Sequence, residues 1–157
     1  MNRFKTLAAA LMLGGSAAAL AANTDGAFRL NELLGSNPDY REAWQELIQD
    51  EERLPEWVIN LSGVATPMKT LEEDGDPYLV GQLCETSNCF NQRLYVAFTP
   101  DKDDAYALWV QVPEGLPKDK APSKHADLRW LGEPDDGVKQ LLPVSYTHLT
   151  LPTIYSV

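Results

Sequence analysis

The chain has 157 residues, 23 acidic against 13 basic, with a formal charge of −10 at pH 7. That length suits a single domain with one core, and so negative a chain argues against nucleic acid or an anionic membrane as partner. A basic protein is the complement such a charge favours, although ordinary solubility charge accounts for the same balance.

Residues 1–21 read as a cleavable export signal. Arg3 and Lys5 form the positive start, an apolar run over 7–20 follows, and Ala19-Leu20-Ala21 offers a small-x-small cleavage site. The run is short and rich in alanine and glycine, which suits cleavage better than spanning; a retained anchor helix is the alternative. No cysteine sits at the cleavage point, so no lipid anchor is expected. Without Arg3 and Lys5 the formal charge moves from −10 to −12, because the leader holds no acidic residue.

Residues 22–143 are then expected to form the folded domain. Phe28, Leu30, Leu33 and Leu34 predict a short helix ending at Gly35. Asn37-Pro38-Asp39 opens a second helix with a capping side chain, a proline at the first helical position and an acid near the positive end of the dipole. Tyr40, Trp44, Leu47 and Ile48 give that helix one apolar face for the core.

Beyond Leu54-Pro55-Glu56-Trp57-Val58 the pattern shifts towards strands. Spans 68–71 and 78–84 flank the turn-forming run Glu73-Asp74-Gly75-Asp76-Pro77. Residues 94–98 are apolar on both faces, as in a central strand, and the alternation over 105–112 predicts the next one. A proline-punctuated loop over 113–123 leads to a last strand near 128–131, and Pro134-Asp135-Asp136 starts a closing helix towards Leu142. Helices, then hairpin-linked strands, then a helix specify an α+β fold, an antiparallel sheet with helices packed against it.

From residue 144 to 157 no charged residue occurs. This tail reads as an adapter-derived, non-native addition that truncates the natural C-terminus, the alternative being a genuine apolar strand. Its His148 is set aside, which leaves His125 as the one histidine of the domain. His125 is expected to be a solvated loop residue. One histidine and two cysteines are too few for the usual zinc or iron ligand sets, so no metal or cofactor is expected. No GxSxG element, phosphate-binding glycine loop or dinucleotide fingerprint occurs. The scattered carboxylates carry no signal for a glycosidase pair, and the chain reads as a non-enzyme. Asn60-Leu61-Ser62 matches a glycosylation acceptor, a match of little weight behind a leader that looks bacterial.

The only two cysteines, Cys84 and Cys89, bracket Glu85, Thr86, Ser87 and Asn88. In an exported chain they are expected to form a disulfide across the tip of a hairpin, worth about 2 kcal/mol for so short a loop. That position is expected to expose the four enclosed residues, as suits a protein that binds something.

The cysteine pair, together with Leu54-Pro55, Trp57-Val58, Thr66-Pro67, Tyr78, Gln92-Arg93 and Val96, resembles the inhibitor of vertebrate lysozyme (Ivy) family over residues 54–142. The resemblance implies a periplasmic domain with an antiparallel sheet and helices. It also implies that the disulfide-closed loop enters the substrate cleft of a c-type lysozyme. The family loop reads Cys-Lys-Pro-His-Asp-Cys, its histidine reaching the catalytic carboxylates. Here Glu85 replaces the lysine, Thr86 the proline, Ser87 the histidine and Asn88 the aspartate. A serine hydroxyl has one proton and a short reach, and Glu85 brings a like charge towards an acidic pair. Two expectations therefore stand: a periplasmic inhibitor of lysozyme-like muramidases, or a paralogue whose loop meets another periplasmic protein.

Overall fold

A computed structural model describes residues 28–142. The expected leader at 1–21 and the expected non-native tail at 144–157 lie outside the described residues. Two helices lead the fold, α1 (Leu30–Ser36) and α2 (Pro38–Gln49), followed by the single-turn α3 (Glu56–Ile59). The strands are β1 (Val64–Ala65), β2 (Lys69–Glu73), β3 (Asp76–Cys84), β4 (Gln92–Phe98), β5 (Ala105–Gln111) and β6 (Asp127–Leu131). One turn of helix, α4 (Pro122–His125), precedes β6, and a last helix, α5, covers residues 136–142.

The sheet is antiparallel throughout, in the order β1-β3-β4-β5-β6, with β2 pairing the first half of β3 and β1 its last residues. Both sheet faces are covered. On one, Leu30, Leu33, Tyr40, Trp44 and Val58 from α1, α2 and α3 pack on Leu94, Val96 and Phe98 of β4. On the other, Val138, Leu141 and Leu142 of α5 pack on Tyr95, Ala97 and Leu108. Layers on both faces explain why residues 94–98 are all buried: β4 lies between β3 and β5 with no side facing water.

The second helix starts as its sequence predicts. The Asn37 side chain accepts the Asp39 N–H at 3.0 Å, Pro38 takes the first position, and Tyr40 and Trp44 are buried, with the Tyr40 ring 4.9 Å from that of Phe98. The first helix runs one residue beyond the predicted stop at Gly35, to Ser36.

Three elements lie outside the sequence prediction. α3 occupies a stretch read as the approach to strands, and it is fixed by tertiary contact: Val58 is buried and the Trp44 indole N–H donates to the Ile59 carbonyl at 3.1 Å. The helix ends with Ser62 N–H on the Trp57 carbonyl and Leu61 N–H on the Val58 carbonyl, a Schellman-type stop. Leu61, at φ 48°, takes the left-handed place usually given to glycine, so no glycine signalled the stop. β1 has only two residues, and α4 turns the end of the predicted loop into one helical turn.

Candidate functional site: a stapled hairpin tip

β3 and β4 pair down to Cys84 opposite Arg93, and the chain between them forms the tip. Cys84 and Cys89 are disulfide-bonded, with Cα atoms 4.7 Å apart, as their spacing predicts. Cys84 is buried at the end of β3, whereas Cys89 is exposed. Gly63 lets β1 close over this point. A Cβ there would lie 2.1 Å from the Cys84 carbonyl oxygen, a backbone atom that cannot swing away.

Across the tip the backbone makes two successive turns, the first inside the disulfide ring and the second running past Cys89. Asn88 N–H donates to the Glu85 carbonyl at 3.0 Å, with Ser87 at φ 65° in the third position of that turn. The Asn88 carbonyl then accepts from both Asn91 N–H (3.2 Å) and Gln92 N–H (3.1 Å), and Glu85 N–H donates to the Gln92 carbonyl at 3.1 Å, closing the neck.

Side chains anchor the tip to the body. Asn91 donates through Nδ2 to the Val112 carbonyl at 3.1 Å, and its own carbonyl accepts from Val112 N–H at 2.8 Å. The Trp109 indole N–H donates to Gln92 Oε1 at 2.9 Å, and Arg93 Nε donates to the Cys89 carbonyl at 3.0 Å. Trp109 carries the Arg129 guanidinium 5.9 Å from its ring centroid, and Arg129 in turn pairs with Glu51 at 3.0 Å. One chain of contacts thus runs from Glu51, just past the end of α2, to the hairpin.

Of the four enclosed residues, Thr86 and Ser87 are exposed, while Glu85 and Asn88 are only half-exposed. The reason is local: Asn88 Nδ2 donates to Glu85 Oε2 at 3.1 Å, so each satisfies the other inside the loop. The tip therefore presents two hydroxyls, able to donate and accept, rather than four free side chains. Pairing within the loop is invisible in the sequence. So is Arg93, a β4 residue, as part of the tip.

Away from the tip, His125 is exposed on α4. Among the described residues no trio of His, Cys, Asp or Glu is placed to hold a metal ion. At the far end of β4 lies a concavity of about 520 Å³, whose rim carries Glu46, Asp50, Glu51, Asp103, Asp104 and Glu133. Tyr106 lines it, and its phenol is raised above the usual range, first by burial and then by Asp104, Asp135 and Asp101. No helix among the described residues is long and apolar enough to cross a membrane.

The fold and the tip together define a small α+β domain that displays a covalently closed hairpin. Residues 39–143 match the family described as Inhibitor of vertebrate lysozyme (Ivy), and the chain belongs to that family. The match begins earlier than the motif-bearing stretch, within α2. An uncharacterized protein of Pseudomonas aeruginosa is 57% identical over 144 residues, covering 90% of this chain and 93% of its own. A second Pseudomonas aeruginosa protein, named Inhibitor of vertebrate lysozyme, is 38% identical over 143 residues with the same coverage of each. An uncharacterized Yersinia pestis protein is 34% identical over 114 residues, 71% of each chain.

Proposed function

We propose that the chain is an exported, periplasmic protein inhibitor of c-type lysozyme-like muramidases, which occludes the active-site cleft with the loop between Cys84 and Cys89. The observation that carries this reading is the stapled tip itself, projecting Thr86 and Ser87 from a hairpin tied through Gln92 to Trp109 of β5 and through Asn91 to Val112 just beyond it. A loop fixed before it meets its target gives up less conformational freedom on docking. On this reading the hydroxyls meet the cleft's polar atoms, while Asn88 donates to Glu85 and holds that carboxylate within the loop. The carboxylates around the far concavity add to the field that draws in a basic target. The domain performs no chemistry of its own.

A specific observation supports a second reading. Ser87 stands at the exposed tip where the resemblance calls for a histidine, and one hydroxyl spans less distance and offers one proton. On that reading the domain binds another periplasmic protein. Inhibition of a c-type lysozyme by the mature domain separates the two. The first reading expects inhibition, strengthened by Ser87→His; absence of inhibition from both proteins contradicts it and favours the second.

A further inference from the structure

Cross-strand partners run straight across the loop end of the sheet: Val64 opposite Cys84, Cys84 opposite Arg93, Arg93 opposite Val110, and Val110 opposite Leu128. Residues directly opposite one another share a face, here the face on which α5 packs. The two ends of the row are bare, Val64 being 60% and Leu128 49% exposed. Between Val64 and Arg93 the surface dips into a notch of about 250 Å³, walled by Gln82 and by the disulfide.

From residue 84 to 93 the sequence holds one cation, Arg93. Its Nε is committed to the Cys89 carbonyl, which fixes the guanidinium against the tip. The nearby carboxylate of Glu85 is engaged by Asn88, and among the described residues the only salt bridge is that of Arg129 with Glu51. Arg93 thus carries an unpaired charge at the foot of the loop, in a chain whose overall balance is strongly acidic.

We infer that Arg93 is a second anchor of the interface, its terminal nitrogens taking a carboxylate of the target protein that enters the notch beside the disulfide, with Val64 as its apolar lip. The inference rests on the inhibitor reading and names the chemistry of the group that is recognised. A guanidinium held through Nε still offers its two terminal nitrogens in the fork geometry that matches a carboxylate. Lysozyme-type glycosidases work with a pair of carboxyl groups, so the cleft that the tip is proposed to enter holds groups of the kind a guanidinium takes. The loop interior itself, Glu85 to Asn88, has no cation to meet them.

The test is the affinity of the mature, oxidised domain for a c-type lysozyme at two salt concentrations. The parent chain is compared with Arg93→Gln, Arg93→Lys and Val64→Ser, each checked by thermal unfolding. The expected result is binding by the parent, roughly tenfold or greater loss in Arg93→Gln with a flatter salt dependence, and partial recovery in Arg93→Lys. Val64→Ser, at an exposed position, should lose a few-fold while unfolding like the parent. A cycle pairing Arg93→Gln with Glu→Gln or Asp→Asn variants of the lysozyme's catalytic carboxyls should show coupling, which a purely structural role would not produce. Binding by the parent with Arg93→Gln unchanged, or without coupling, overturns the inference and leaves the inhibitor reading standing. No binding by the parent overturns both.

Discussion

At one end of β4, residues 85–91 connect it to β3; at the other, residues 99–104 connect it to β5. The second turn is built from its own polar groups. The Thr99 hydroxyl donates to the Asp101 carboxylate and accepts from Asp104 N–H at 3.1 Å, and the same Asp101 oxygen accepts Asp103 N–H at 3.0 Å. These bonds, Thr99's first and Asp103's next, hold the Asp101 carboxyl below the usual carboxylate range. In the first turn a covalent bond does the shaping, so Thr86 and Ser87 are left facing outward. A turn that folds by spending its side chains has little left to offer a partner. The stapled one keeps Thr86 and Ser87 free although Glu85 and Asn88 pair with each other, and this difference is why the tip between Cys84 and Cys89 is the stronger candidate site.

Removing the staple should have the largest effect. Replacing both Cys84 and Cys89 by serine is expected to lower stability by about 2 kcal/mol in denaturant unfolding. It should also weaken target binding by more than stability alone accounts for, because the loop must then be ordered on docking. Trp109→Phe comes next. It keeps one aromatic ring but removes part of a buried indole and leaves Gln92 Oε1 without its donor, for a loss of about 1 kcal/mol or more and a measurable drop in affinity, since Gln92 forms the neck of the tip. Thr99→Ala should cost a similar amount of stability, about 1 kcal/mol, yet leave target binding unchanged. Equal effects of these two substitutions on binding would erase the functional contrast between the turns.

The smallest effect concerns alkaline pH. The phenols of Tyr40, Tyr78 and Tyr106 are each raised, first by burial and then by neighbouring carboxylates such as Asp39, Asp135 and Asp104. A group whose pKa is raised by folding contributes stability that is fully present below its unfolded pKa, near 10, and lost as pH climbs through the folded value. Unfolding midpoints should therefore fall above about pH 10, and tyrosinate absorbance should develop later in the folded chain than in the unfolded one. Tyr78→Phe should soften that fall. The tip carries no such group, so the loss belongs to the body of the fold.

Most of the fold could be read from the sequence because its elements are locally specified. Asn37-Pro38-Asp39 begins α2 where its capping chemistry places it, and the unbroken apolar run at 94–98 becomes the strand buried on both sides. Elements held by distant contacts were not legible. α3 is too short for a helical period to show and stops at Leu61 instead of glycine; β1 exists only because it pairs with the end of β3. The site divides the same way. The spacing of Cys84 and Cys89 foretold the bridge, whereas the Glu85–Asn88 bond and the placement of Arg93 beside Val64 depend on how the chain turns and on strand register.

The most direct measurement is a map of backbone amide shifts in the isotope-labelled protein as a c-type lysozyme is added. Perturbations concentrated at residues 84–93 and at Val64, with residues 99–104 and the acidic rim near Asp50 and Glu133 quiet at close range, are what this account predicts. Shifts confined to the 99–104 turn and α2, with 84–93 silent, would contradict it.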